Sequence, residues 1–158
     1  MSKTKKILIA LLLVIIVMQF IQPVRNRNTQ VPEADLLQHR YVPGNVAGIL
    51  KTSCYDCHSN NTDYPWYASI QPFGWTLAKH IQDGKAELNF NEFKNYSQRR
   101  QLSKLKAIQN SIKDGSMPLS SYALLHPDAK LSKERKALVI KWATKLVDSL
   151  STDRQNNE

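Results

Sequence analysis

Residues 53–60 read Ser-Cys-Tyr-Asp-Cys-His-Ser-Asn and form the most informative segment of the 158-residue chain. Cys54 and Cys57 are its only cysteines, and His58 directly follows the second one. Two cysteines are too few for a disulfide-stapled scaffold or a four-cysteine zinc site. A chain of this length suffices for one compact domain. Because both cysteines lie in this segment, any thiol chemistry of the chain is confined to it.

Two thiols three positions apart, with an imidazole next to the second, are typical of covalent haem attachment. Cys54 and Cys57 would add to the two vinyl groups of one porphyrin, and His58 would place a ring nitrogen on the iron. The motif therefore predicts one covalently attached haem c, with His58 as the proximal iron ligand.

Two other chemistries are open to the same residues. A thiol redox site would use the cysteines as a disulfide pair, but it expects a βα context and leaves His58 unexplained. A zinc site would need two further ligands, and the other histidines, His39, His80 and His126, are single residues without a second paired motif. We favour haem attachment because the chain also carries an export leader and an all-helical pattern.

Met117 is the predicted sixth iron ligand. Met1 is terminal and Met18 lies in the apolar leader, so Met117 is the only methionine available to a folded domain. It lies on a Gly-Ser-Met-Pro turn at residues 115–118, from which its thioether could reach the opposite haem face. His80, on an apolar helical face, is the alternative ligand. A gap-filling core methionine and a hydrogen-bonded core histidine are the competing structural interpretations.

The amino-terminal residues have the pattern of an export leader. Lys3, Lys5 and Lys6 precede twelve consecutive apolar residues, Ile7 to Met18. The lysines favour a cytoplasmic amino terminus. No Ala, Gly or Ser lies between Leu11 and Glu33, so we expect no cleavage by signal peptidase.

The apolar run also sets the expected location of the chain. A helix from Ile7 to Val24 would be about 27 Å long, slightly under the ~30 Å of a hydrocarbon core. We predict that residues 1–24 are an uncleaved signal anchor in contact with membrane lipid. The protein would then be a single-pass protein of the bacterial cytoplasmic membrane, with its carboxy-terminal domain in the periplasm. A buried core helix is disfavoured because the run has no polar face.

The remaining pattern predicts an all-α fold, since no alternating strand pattern competes with it. Residues 25–43 are predicted as a polar tether, residues 44–150 as the folded domain and residues 151–158 as a flexible tail. Helices are expected from about Val46, from Pro72 to Gly84, from Ser97 to Lys113, and after Ser132. The expected inward-facing side chains include Phe73, Leu77, His80 and Ile81 in the second of these helices, and Leu138, Trp142, Leu146 and Leu150 in the last.

The charge of the chain bears on its partners. The formal net charge is +9, and the three leader lysines account for part of it, which leaves +6 on the rest. A basic domain can meet an acidic redox protein or anionic lipid. We expect no nucleic-acid partner, because no aromatic-interleaved basic motif or recognition signature is present.

Several separated motifs carry a resemblance to a known family. They are the Cys54–His58 motif with its flanks, Tyr64-Pro65-Trp66-Tyr67, His80, Leu88-Asn89-Phe90, Met117-Pro118-Leu119, Tyr122 and His126-Pro127. With them the chain resembles the bacterial haem-binding domain family with a CxxCH motif, from about Val46 to Trp142. The resemblance implies covalent haem c on a cytochrome c-like helical fold in residues 44–150. His80 and Met117 both match family positions, so it leaves the sixth ligand open.

Together these features predict a membrane-tethered mono-haem c-type cytochrome that transfers single electrons between protein partners on the periplasmic side. Such a carrier has no substrate chemistry of its own, and the sequence favours it over an enzyme. The alternative is a peroxidase-like or haem-sensing subunit with a labile sixth ligand. No second haem motif, distal Arg/His pair or cluster of acid/base carboxylates supports that alternative.

Overall fold

The fold was analysed in a computed structural model that describes residues 2–28, 30–38 and 42–155. Within these residues every regular element is helical, which confirms the predicted all-α class. The α-helices are α1 Lys3–Gln19, α2 Gly44–Ser53, α3 Tyr55–His58, α4 Phe73–Glu87, α5 Gln98–Asp114, α6 Ser120–Leu125 and α7 Lys133–Gln155. Short 3₁₀ helices cover Leu36–Gln38, Trp66–Ser69, Phe90–Asn95 and Pro127–Ala129.

Local capping signals set several helix ends where the sequence predicts them. Ser97 accepts a hydrogen bond from the Arg100 backbone N–H (3.4 Å) at the start of α5, and Gly115 ends that helix with a left-handed φ of 77°. Ser132 caps α7 in the same way, because its hydroxyl accepts a hydrogen bond from the Arg135 backbone N–H at 3.2 Å. These side-chain caps satisfy backbone donors that the first helical turn leaves free.

Two helices run past their predicted ends. α4 continues three residues beyond Gly84, because this glycine packs within the helix and does not terminate it. α7 continues to Gln155, into the segment predicted as a flexible tail.

The main apolar core is formed by α2, α5, α7 and the segment around Phe90, with α5 packed along α7. In α7 the buried face is centred on Val139, Trp142, Ala143 and Leu146, whereas the predicted inward residue Leu138 is exposed. Phe73 of α4 is likewise exposed, although Leu77 and Ile81 are buried as predicted. Helix α4 therefore buries only one side of its predicted apolar face.

A second, smaller apolar cluster lies on the other side of α3. It consists of Ala68, Leu77 and Ile81, with Cys57 packed against it. Cys54 instead packs against the main core. The motif helix α3 is therefore held between two apolar clusters, and each cluster contacts one of the two cysteines.

The predicted polar tether packs against the domain where the structure describes it. Asp35 is buried and accepts hydrogen bonds from the Leu37 N–H (2.7 Å), the Tyr55 hydroxyl (3.1 Å) and the Asn91 amide (2.5 Å). The Lys94 N–H donates to the Ala34 carbonyl at 3.0 Å. A buried carboxylate is stable only with such partners, so this segment is part of the fold.

The amino-terminal helix differs from its prediction. α1 ends at Gln19, five residues short of the predicted Val24. Pro23 disfavours helical backbone at the residue before it, which agrees with this early end. None of the helices in the described ranges is long and apolar enough to cross a membrane, so the predicted membrane-spanning helix is not supported.

Gly84 allows α4 to approach α3 closely. A Cβ at this position would lie 2.7 Å from the Cys57 carbonyl oxygen, a backbone atom that cannot move aside alone. Gly48 of α2 has open space around it. The two glycines are therefore a matched pair for testing this contact.

We expect Gly84→Ala to lower the free energy of unfolding by about 1–3 kcal/mol, because overpacking outweighs the gain in helix propensity. Gly48→Ala should raise it by about 0.5–1 kcal/mol. Urea denaturation of the two variants measures both effects. Equal stabilisation by the two substitutions would contradict the close approach of α3 and α4.

Candidate functional site

A cavity of about 280 Å³ lies between α3, α4 and the segment that leads into α6. All five predicted site residues line it, namely Cys54, Cys57, His58, His80 and Met117. The last of these is 59 positions from His58 in the sequence. The fold therefore gathers the predicted proximal residues and both predicted sixth ligands around one space.

The two cysteines are presented on one helical turn. The Cys54 carbonyl accepts from the backbone N–H groups of Cys57 (3.2 Å) and His58 (3.0 Å). Both thiols are free and half-buried. Burial raises the pKa of Cys54 to about 12 and that of Cys57 to about 11, so both are protonated at neutral pH.

These raised pKa values bear on the thiol redox interpretation. Catalytic CxxC cysteines have lowered pKa values, because the thiolate is the reactive form. Cys54 and Cys57 show the opposite shift. The pair therefore lacks the lowered pKa that is typical of a catalytic CxxC site.

His58 is oriented by the backbone of the loop that follows α4. Its Nδ1 lies 3.0 Å from the Leu88 carbonyl oxygen, which can only accept, so Nδ1 carries the proton and Nε2 has a free lone pair. Burial lowers the pKa of His58, which keeps the ring neutral. A neutral imidazole held through its other nitrogen is the usual arrangement of a metal-ligating histidine.

The two candidate sixth ligands come from different elements. His80 is half-buried on α4, and Met117 lies on the turn after α5 with 37% of its surface exposed. Both side chains line the cavity. With 37% of its surface exposed, Met117 differs from the gap-filling core methionine of the competing interpretation.

Asp56 and Tyr122 connect the two sides of the cavity, a contact that the motif alone did not predict. The Tyr122 hydroxyl donates to Asp56 Oδ2 at 2.5 Å, and the Tyr122 ring stacks on His126 with centroids 4.1 Å apart. His126 Nε2 is in turn 2.9 Å from the Tyr67 hydroxyl. The network ties α6, and with it the segment carrying Met117, to the motif helix. Tyr122 and His126 stood out in the sequence only as members of the family pattern.

Ser53 is a buried polar residue at the cavity wall. It is 7% exposed, and its hydroxyl is the one buried side-chain polar atom without a hydrogen-bond partner in the part of the chain that the structure describes. Buried hydroxyls are normally satisfied, so this one suggests a ligand with polar atoms. Two protonated thiols and a neutral imidazole on one side of the cavity fit haem, because they could bond its vinyl groups and its iron.

The zinc interpretation gains no support from the described residues. No group of three or more His, Cys, Asp or Glu side chains among them is placed to hold a metal ion. His39, one of the single histidines, lies outside the described residues.

Comparison with protein families agrees with this geometry. Residues 13–145 match the model of a haem-binding domain. The chain belongs to the haem-binding domain family. This match begins within α1, so the family domain includes leader residues that the sequence resemblance left outside. No curated protein and no solved structure matches significantly.

The thiol environment predicts slow alkylation of the chain before haem is attached. At pH 8, iodoacetamide should modify both cysteines at least ~10-fold more slowly than in the urea-unfolded chain, because burial suppresses the thiolate. The rate should rise as the pH approaches 11, where Cys57 begins to ionise. Mass spectrometry follows the reaction. Equal rates in folded and unfolded chains would contradict the raised pKa values.

The Asp56–Tyr122 bond predicts a loss of stability in Tyr122→Phe. The substitution leaves a half-buried carboxylate oxygen without its hydroxyl partner and should cost about 1.5–3 kcal/mol. Tyr67→Phe is the matched control, because it removes a tyrosine hydrogen bond that involves no carboxylate and should cost about 0.5–1.5 kcal/mol. Urea denaturation compares them. A smaller loss in Tyr122→Phe than in Tyr67→Phe would argue against the link across the cavity.

Proposed function

We propose that this haem-binding protein is a c-type cytochrome with one haem, covalently attached through Cys54 and Cys57, that transfers single electrons between proteins. The observation that carries the proposal is the shared cavity, in which both thiols, the His58 imidazole and two candidate sixth ligands converge. Haem, when bound, supplies an iron that alternates between the ferrous and ferric states.

The residues of the chain have distinct tasks in this proposal. Cys54 and Cys57 fasten the macrocycle, and His58 offers Nε2 to the iron while Nδ1–H donates to the Leu88 carbonyl. That hydrogen bond fixes the orientation of the ring and raises its basicity as a ligand. Met117 is the proposed sixth ligand, with His80 as the alternative.

The choice between those two side chains matters for the redox potential. A thioether on the sixth position favours the ferrous state and raises the potential relative to a second histidine. A carrier with two protein ligands also keeps small molecules away from the iron. The proposed Met117 ligand therefore corresponds to an electron carrier of comparatively high potential.

A second candidate function follows from the exposure of Met117. A ligand on an exposed turn can be displaced, which would open the iron to peroxide or a signalling gas. A peroxidase-like or sensor subunit is therefore the alternative to an electron carrier.

We further propose that the chain works at the periplasmic face of a bacterial cytoplasmic membrane. α1 exposes apolar side chains all round and begins with three lysines, a composition suited to lipid contact. Covalent haem assembly requires reduced cysteines and takes place outside the cytoplasm, in agreement with an export leader. The charge of +6 beyond the leader suits an acidic redox partner.

Optical spectroscopy of the purified full chain, in both redox states and with carbon monoxide, tests the proposal. We expect one covalently bound, low-spin haem that does not bind carbon monoxide. Cys54→Ser/Cys57→Ser should lose covalent attachment. A colourless protein from cells with intact haem maturation would exclude a cytochrome, and rapid carbon monoxide binding would favour the sensor or peroxidase alternative.

Paired variants identify the sixth ligand. Met117→Ala should abolish the thioether-to-iron absorption band, admit carbon monoxide and lower the potential, because a weaker or vacant position replaces the thioether. His80→Ala is the matched control and should leave the band intact. The reverse result would assign the position to His80.

A further inference from the structure

Residues 19–26, which are the last residue of α1 and the segment that follows it, are attached to the rest of the domain at a buried glutamine, Gln71. Gln71 donates its backbone N–H to Gln19 Oε1 (2.9 Å), and its carbonyl accepts from Gln19 Nε2 (3.3 Å). The Gln71 side chain donates to Gln22 Oε1 at 3.0 Å. Since Gln71 is buried, these bonds are shielded from competing water.

A second set of contacts continues the attachment around Asn26. Its side-chain amide donates to the Ser59 carbonyl and the Thr62 hydroxyl, each at 2.9 Å, and its oxygen accepts from Lys85 Nζ at 2.7 Å. Its backbone N–H donates to the Tyr64 hydroxyl at 2.6 Å. With both ends of residues 19–26 attached, the direction in which α1 leaves the domain is set by the fold.

Exposed apolar side chains lie on both sides of this attachment. Ile70 and Phe73 flank Gln71 and are 42% and 58% exposed. Trp66 is 79% exposed. It lies three positions before Ser69, whose hydroxyl accepts a hydrogen bond from the Arg25 guanidinium at 2.8 Å. Positions three apart share a side of a 3₁₀ helix, so Trp66 lies on the same side of this helix as Ser69.

We propose that Trp66, Ile70 and Phe73 form a surface that rests on the same lipid bilayer that α1 contacts. This inference depends on the proposed membrane association and adds an orientation of the haem-binding domain. α1 carries apolar side chains on every side, so it has no face suited to water, and its lysines complement anionic headgroups. Trp and Phe side chains together with basic residues are typical of protein surfaces at the membrane interface.

This surface has a consequence for electron transfer. A domain attached by a flexible tether would present the haem cavity in every direction, whereas the attached domain holds it at one height and angle above the lipid. Redox partners would then have to approach along the membrane plane or from the opposite side. The orientation thus selects which partners can reach the haem edge.

Photocrosslinking of the full haem-loaded chain tests the proposal. Phe73→p-benzoylphenylalanine is compared with Leu124→p-benzoylphenylalanine, whose site is 80% exposed but belongs to α6. The chains are bound to vesicles of equal parts phosphatidylcholine and phosphatidylglycerol, irradiated and analysed by mass spectrometry. We expect phospholipid adducts at position 73 at a yield at least about fivefold above position 124.

A second variant tests the attachment. Gln19→Ala/Gln22→Ala removes the side-chain bonds to Gln71 and lies outside the haem site. It should still sediment with vesicles and keep its haem spectrum, while the yield of adducts at position 73 falls several-fold. An unchanged yield would show that the attachment does not set the orientation.

The outcomes separate this inference from the proposals on which it rests. Chains that sediment with vesicles but form no more adducts at position 73 than at 124 would overturn the lipid-facing surface alone. Failure of the chain to sediment would overturn the membrane association as well. Crosslinked dimers in place of lipid adducts would assign the surface to a second copy of the chain. Lipid adducts on a chain that fails as an electron carrier would leave the surface intact.

Discussion

The position of the four-residue helix α3 is the constraint on which the site depends. A single helical turn has little stability of its own, so its surroundings must hold it. The Tyr55 ring stacks on Phe90 with centroids 4.9 Å apart, and its hydroxyl reaches the buried Asp35. On the opposite side Gly84 lets α4 approach the Cys57 backbone. The two thiols and the imidazole thereby face one cavity.

The cavity is closed by segments that are distant in sequence, and polar contacts hold them together. The Asp56–Tyr122 hydrogen bond joins the motif helix to α6, and the Leu88 carbonyl orients His58 from the loop after α4. The contact with Leu88 also has a chemical effect, because the carbonyl selects the imidazole tautomer whose Nε2 carries a lone pair. Contacts within the chain therefore fix the positions of the motif helix and the His58 ring.

Prediction from the sequence succeeded where the structural signal is local. Ser97, Gly115 and Ser132 mark helix ends because capping involves residues only a few positions apart. The sequence also predicts Gly84 as a helix cap. Glycine serves close helix packing as well as capping, and only the position of the neighbouring helix distinguishes the two roles. The sequence predicts a signal anchor followed by a polar tether and gives no sign of the attachment to the domain, because the partners of Gln19 and Asn26 lie more than thirty positions away.

The sequence by itself determined the helical class, the CxxCH motif of Cys54, Cys57 and His58, and the candidate residues His80 and Met117. The class and the motif follow from short spacings, because helical periodicity and a CxxCH pattern involve residues only a few positions apart. Only the tertiary structure decided that His80 and Met117 share a cavity with the motif, that Asp56 and Tyr122 connect its sides, and that residues 19–26 are attached to the domain. Such contacts depend on how distant segments pack, and no local pattern encodes that packing.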